Sequence, residues 1–347
     1  MSASCTMEMI QCHGTRNDFI ILDECRGERI AEPFKAPLAR LLADRAQGIG
    51  SDGVIFLSQG DARQPRMRFF NPDGSEAEMC GNGLRCASRA CFEGNYAGQN
   101  PLVFQTLGGL FQTENFFSPE HQLPFVRMTT EVISTNPEKI LADRSRTPFL
   151  SRPIRLGERE WTGSILSVGN PHLIVPVADL AQVALMEVGP ALEQHPMFLN
   201  RANVSFVQKL DQRTILVQTY ERGAGLTLSC GTGMTASVVA LVLNGTLEAQ
   251  QPVAVHTAGG IVWVAVQVSG ERIVAQLTGN ATWICKGTLS LRLGEDGVRF
   301  AGPERVLIGQ RYADEAARFA QLARQSRFDP ALLRGTPLEQ AGRRALV

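Results

Sequence analysis

Two stretches of the chain open in the same way: Cys80 begins CGNGLRCASRACF and Cys230 begins CGTGMTASVVALVL. In both, Cys-Gly-x-Gly leads into an apolar run of helical length, and in both a set of strand-like segments precedes and follows it. DFIILDE, GIGSDGVIFLSQG and RMRFFNPDG come before the first, with LVFQTLGG and PFVRMTTEVIS after it. SILSVGNPHLIVPV, NVSFVQK and TILVQTYERGAG come before the second, with AVHTAGGIVWVAVQV and IVAQLTGNATWICKG after it. These segments are rich in β-branched and aromatic residues and are bounded by Gly, Asp or Pro, as strands are. The spacing predicts helices from about Asn82 and from Gly231 to about Leu243. A unit of strands, helix and strands that occurs twice restricts the chain to two related halves of mixed α and β structure.

The length of 347 residues supports more than one core, because single cores stop growing at about 250–300 residues. The polar stretch SPEHQL at 118–123 marks a junction, which divides the chain into 1–118 with Cys80, 119–287 with Cys230, and 288–347. The last part is a returning strand followed by RYADEAARFAQLARQ, whose Ala, Phe and Leu recur at helical intervals on one face. That helix is expected to pack on the body or on a second subunit.

Lys and Arg number 34 and Asp and Glu also number 34, so no overall field draws the protein to nucleic acid or to an acidic membrane surface. No apolar run reaches the roughly 20 residues of a membrane helix, and the start lacks the layout of a secretory signal. These features point to a cytoplasmic protein with a small-molecule partner. Eight cysteines in a chain of this size are too few for a disulfide scaffold, so thiols are available for chemistry.

A cysteine at the mouth of a helix sits where unpaired backbone N–H groups converge, which stabilises both a thiolate and a bound anion. Two such thiols suit inversion at an amino-acid α-carbon, where one group removes a proton from one face and another delivers a proton to the opposite face. The N–H groups of Gly81, Asn82, Gly231 and Thr232 are placed to grip the α-carboxylate as charge moves onto it. No lysine signature for pyridoxal phosphate is present, so no cofactor and no metal are expected. Cys86 and Cys91 fall on helical positions behind Cys80 and read as packing.

The blocks GTRNDFIILDE, GIGSDG, FFNPDGSEAEMCGNGLRC, SVGNPH, NVSFVQ, YERGAGLTLSCGTG and TGNATWICKG, in this order, resemble the diaminopimelate epimerase family over residues 10–290. The resemblance implies two pseudo-symmetric domains, each a curved and mostly antiparallel sheet around a central helix, with the active site in the cleft between them. It implies pyridoxal-independent conversion of LL- to meso-diaminopimelate by Cys80 and Cys230. His172 and Glu221 match positions that set the protonation of the thiols and hold the α-amino group. Asn17, Asn71, Asn170, Asn203 and Arg222 match substrate contacts, several of them at the distal amino-acid end. Arg16, Gly53 and Leu226 depart from the family pattern. Two other readings stand beside this one. A racemase of histidine or of proline and hydroxyproline would use the same chemistry; a thiol redox or zinc protein would use Cys80, Cys86 and Cys91. A homodimer is compatible with all three.

Overall fold

A computed structural model describes residues 3–25, 29–61, 64–96, 100–131, 133–136, 140–143, 145, 148–294, 297–306 and 310–329. Its first half runs β1 (Ala3–Gly14), β2 (Asn17–Asp23), α1 (Glu32–Ala43), β3 (Val54–Gln59), β4 (Pro65–Phe70), β5 (Glu76–Ala77), α2 (Gly81–Gly94), β6 (Leu102–Thr106), β7 (Gly109–Ser118), β8 (Leu123–Thr130) and β9 (Ile133–Ser134). It continues with β10 (Phe149–Leu156), β11 (Arg159–Val168), β12 (Pro171–Val177), α3 (Leu185–Glu193), β13 (Asn203–Lys209), β14 (Thr214–Glu221), β15 (Gly225–Leu226) and α4 (Gly231–Leu243). The remainder is β16 (Val253–Thr257), β17 (Gly260–Ser269), β18 (Arg272–Asn280), β19 (Thr282–Gly294), β20 (Gly297–Val306) and α5 (Gln310–Arg324). Two compact units result: Met1–Met128 with Gly279–Leu322, and Thr129–Thr278 with Ala323–Val347. The polar stretch 118–123 is the link between β7 and β8, inside the first unit, and the division falls instead at 128/129.

In the first unit the strands pair in the order β20-β19-β1-β2-β3-β4-β6-β7, antiparallel except for β2 with β3 and β4 with β6. Strand β2 is apolar on both sides, as a strand covered on both faces must be. Phe19 and Ile21 pack with Leu84, Cys86, Ala87, Ala90 and Cys91 of α2. Ile20 and Leu22 pack with Leu38, Ala39 and Leu42 of α1 on the opposite face. Helix α2 is buried from Gly81 to Cys91 and stops where Asn95 turns left-handed, φ 54°, with its N–H returned to Cys91.

The second unit repeats this plan. Its order is β10-β11-β12-β13-β14-β16-β17-β18, with β12–β13 and β14–β16 the parallel pairs. Helix α4 is apolar all round, and Met234, Val238, Val239 and Leu241 lie among Leu166, Val207, Val217, Val255 and Val264. Helix α3 covers the other face, where Leu185, Val188 and Leu192 meet Leu173, Val175, Val204 and Phe206. Each fully buried side chain of this size stabilises the fold by about 1.5–3 kcal/mol.

Helix α5 lies on the first unit through a buried ion cluster. Arg89 of α2 donates to Glu93 at 2.8 Å and to Glu315 of α5 at 2.6 Å, and Tyr312 donates to Glu93 at 2.9 Å. The Phe319 ring sits 5.2 Å from that of His13. Beyond the helix, Phe328 joins the apolar cluster around α3 and Arg327 pairs with Asp211 at 3.1 Å. Residues 330–347 of the C-terminal extension lie outside the described residues. Removing one partner of a buried pair leaves a charge poorly compensated. Glu315→Ala is therefore expected to cost about 1–3 kcal/mol, moderated by Glu93, in denaturant unfolding; a midpoint unchanged from that of the parent protein would show that the cluster contributes nothing.

Candidate active site

Cys80 is the N-cap of α2, in extended backbone with φ −135° and ψ 114°. Its carbonyl accepts the first helical bond, from Leu84 N–H at 2.8 Å, and the N–H groups of the first turn have no partner within the helix. The half-buried thiol donates to Asn17 Oδ1 at 3.8 Å. That oxygen also accepts from Asn82 Nδ2 at 3.1 Å, while Asn17 Nδ2 donates to Asp52 Oδ2 at 2.8 Å. Asp52 therefore fixes which end of the Asn17 amide meets the sulfur. Arg45 bridges Asp52 at 2.8 Å and Asp18 at 2.7 Å, completing the support.

Asn17 owes its position to a two-residue hairpin between β1 and β2, with Thr15 at φ 53° and Arg16 at φ 62°. Such a turn normally takes Asn and Gly, and a β-branched residue there is strained. Thr15 is held by its N–H to Asn280 Oδ1 at 2.9 Å and by its hydroxyl, which accepts from Arg85 at 2.7 Å. Strain kept in place by surrounding bonds is a mark of functional loops.

Cys230 is the N-cap of α4, and its buried sulfur accepts from Gly233 N–H at 3.4 Å and lies 3.6 Å from Thr232 Oγ1. A Cβ at Gly233 would come within 2.8 Å of Thr219 Oγ1 and 2.9 Å of Ser205 Oγ, so only glycine lets the chain pass this close. Burial pushes the Cys230 thiol well above its ordinary value, and the neighbouring Glu221 carboxylate pushes it further. The contacts with Thr232 and Gly233 oppose this without reversing it. Glu221 accepts from Thr227 Oγ1 at 2.6 Å, which orients the carboxylate.

Asn170 Nδ2 donates to Thr232 Oγ1 at 3.3 Å, and Asn170 Oδ1 lies 2.9 Å from His172 Nε2. His172 is fully buried on β12, and burial with the charge of Arg222 brings its pKa down to about 3. It is thus a neutral ring that orients Asn170 by donating from Nε2. Asn203 donates to the Pro171 carbonyl at 3.0 Å and accepts from Arg222 N–H at 2.9 Å, so it braces the loop that carries Arg222. The Arg222 guanidinium donates to the Asn200 carbonyl at 3.1 Å and pairs with no carboxylate among the described residues. Asn71 closes the turn before β5, donating to Ser75 Oγ at 3.0 Å.

The structure thus brings Cys80, Asn17 and Asn82 together in the first unit, and Cys230, Glu221, Asn170, His172 and Thr232 in the second. Gly81 and Gly231 open the two helices. Among the departures, Leu226 is buried in the apolar cluster around α3, and a Cβ at Gly53 would lie 2.3 Å from Phe69, leaving no room there for a longer side chain. Cys86 and Cys91 pack within the core around α2. None of the eight cysteines forms a disulfide. Among the described residues no cluster of three or more His, Cys, Asp or Glu side chains is arranged to hold a metal ion, and no helix is long and apolar enough to cross a membrane.

The sequence profile described as diaminopimelate epimerase matches residues 9–131 and 164–284, a span that contains both cysteine mouths and every residue grouped around them. The chain belongs to the diaminopimelate epimerase family. It is 37% identical over 286 residues to the diaminopimelate epimerase of Desulfitobacterium hafniense, covering 82% of this chain and 98% of that one. The corresponding enzyme of Bacillus subtilis is 34% identical over 280 residues, covering 80% and 97%. That of Methanothermobacter thermautotrophicus is 37% identical over 281 residues, covering 80% and 96%. The fold of the family extends to more distant solved structures. A hydroxyproline epimerase from Agrobacterium vitis superposes with a TM-score of 0.61 at 17% identity, covering 82% of this chain and 91% of that one. A Bacillus anthracis protein of the PhzF family superposes with a TM-score of 0.60 at 18% identity, covering 82% and 99%. The profile ends before β20 and α5, so Tyr312 and Glu315, which complete the ion cluster on Arg89, lie outside the matched span.

Proposed function

We infer that the protein interconverts LL- and meso-2,6-diaminopimelate, with Cys80 and Cys230 exchanging the α-proton. The observation that carries the reading is the duplicated N-cap cysteine, each held in a network of its own. Cys230, raised by burial and by Glu221, is suited to give a proton. Cys80, only half-buried at the mouth of α2, is suited to take one. When the reaction runs backwards the roles exchange. The first-turn N–H groups at Gly81, Asn82, Gly231 and Thr232 take the α-carboxylate and stabilise the negative charge that develops at the carbon, and Glu221 receives the α-amino group.

Arg222 argues for a substrate with a second carboxylate. Among the described residues its guanidinium bonds to a carbonyl and to no carboxylate, and a carboxylate would supply the paired charge-assisted bonds. Histidine or hydroxyproline offers no such group. A small-molecule reaction of this kind fits a cytoplasmic enzyme.

The test is reaction in deuterium oxide under reductant. LL-diaminopimelate is expected to acquire α-deuterium and to yield the meso isomer on chiral chromatography, with histidine and hydroxyproline at least 100-fold slower. Faster turnover of a monocarboxylate would overturn the substrate, and absence of α-exchange on every amino acid would overturn the reaction.

A further inference from the structure

Arg85 is the largest of the fully buried side chains, on the second turn of α2. Its Nε donates to the Asn280 carbonyl at 3.0 Å and its Nη2 to Thr15 Oγ1 at 2.7 Å, while Nη1 has no hydrogen-bond partner. Among the described residues no carboxylate pairs with it. A guanidinium keeps its proton in a protein, and a buried cation calls for an anion nearby.

The groups near it that can become anionic are thiols: Cys86 and Cys80 on α2, and Cys12 on β1. Cys12 and Cys86 lie inside the apolar core, where burial keeps Cys86 protonated. Cys80 is the thiol that reaches the mouth of the helix. The other titratable groups on that side are His13, neutral because its pKa is brought down to about 4, and Asp18 and Asp52, both engaged by Arg45. The second unit has no equivalent: five residues after Cys230 stands Thr235, whose hydroxyl returns to the Gly231 carbonyl at 3.0 Å.

We propose that Arg85 is a positioning residue of the epimerase site, whose buried charge holds the Cys80 thiolate accessible while its bond to Thr15 sets the turn that aims Asn17 at the same sulfur. The two influences oppose each other. The Asn17 carbonyl oxygen favours the protonated thiol, and the guanidinium favours the thiolate. A group that must both take and give a proton works best when such influences balance near the operating pH. Five residues along a helix is a rise of about 7.5 Å. At that range a unit charge in protein surroundings shifts a protonation equilibrium by about tenfold or more. The close approach is built in: a Cβ on Gly14 would lie 2.7 Å from Arg85 Nη2.

The proposal rests on the epimerase reading for its purpose, and its test does not use substrate. The rate of iodoacetamide alkylation is followed against pH in the whole folded protein, with Cys80 and Cys230 read separately by peptide mass. In the parent protein Cys80 is expected to reach half-maximal rate at a lower pH than Cys230; the opposite order would overturn the proposal, whether or not any variant folds. Arg85→Gln is expected to move the Cys80 profile up by about one pH unit and to leave that of Cys230 in place, and Arg85→Lys to restore most of the shift. An unchanged Cys80 profile in folded Arg85→Gln would overturn it too. Absence of diaminopimelate turnover in the parent protein, with the alkylation profiles as expected, would count against the substrate and not against Arg85.

Discussion

Cys80→Ala and Cys230→Ala are each expected to lower interconversion of the diaminopimelate isomers by about 10²–10⁴-fold, the range for removal of a general acid or base. The losses are expected to differ in kind from a folding defect. A variant that keeps one thiol still removes the proton facing it and returns a solvent deuteron to the same face. Each variant should therefore exchange the α-hydrogen of one isomer without inverting it, and the two variants should choose opposite isomers. Mass spectrometry of each isomer in deuterium oxide, with chiral separation, reads this directly. Inversion at the parent rate in either variant would end the two-thiol account.

The second large effect is on stability in acid. In the unfolded chain His172 takes up a proton at its ordinary value of 6.5, whereas in the fold burial delays this to about 3. Between these values the unfolded state binds more protons, so the contribution of His172 is complete above pH 6.5 and is lost as the pH falls towards 3. By pH 5 the loss is about 2 kcal/mol from this residue alone. His13 and His256, each brought down to about 4, act with the same sign. Against a total stability of about 5–15 kcal/mol this is a large fraction. Denaturant unfolding at pH 7.5 and pH 5 should show the drop, and His172→Gln should reduce the difference between the two pH values by about 2 kcal/mol. Equal differences in the two proteins would remove His172 as its source.

Much of the architecture was legible because it is written in local pattern. The helices after Cys80 and Cys230 stand where Cys-Gly-x-Gly places them, and α4 runs from Gly231 to Leu243 as its apolar run indicates. Helices α1 and α3 carry Pro33 and Pro37, and Pro190, residues that disfavour a helix interior, so local pattern does not announce them; packing against β2 and β13 holds both segments helical. The cysteines announced themselves by duplication. Asn17 stood out only through the resemblance, and the residues that brace it beside Cys80 did not stand out, because they are remote in sequence: Asp52 meets Asn17 from 35 residues away and Asn280 meets Thr15 from 265. The hairpin at Thr15 and Arg16 carries no glycine at its tip, so the usual signal for a two-residue turn was missing.

The pairing of β1 with β19 sets an order of events during synthesis. Ala3 lies opposite Leu293, so β1 leaves the ribosome with one edge uncovered until β19 has followed it. The stretch from Thr129 to Thr278 is continuous and contains the second sheet and its helices, so it is free to fold while the first unit waits for its closing strand. Any stall or truncation before residue 294 therefore leaves the Cys80 unit open at β1, and an unpaired strand edge of that length is a template for aggregation.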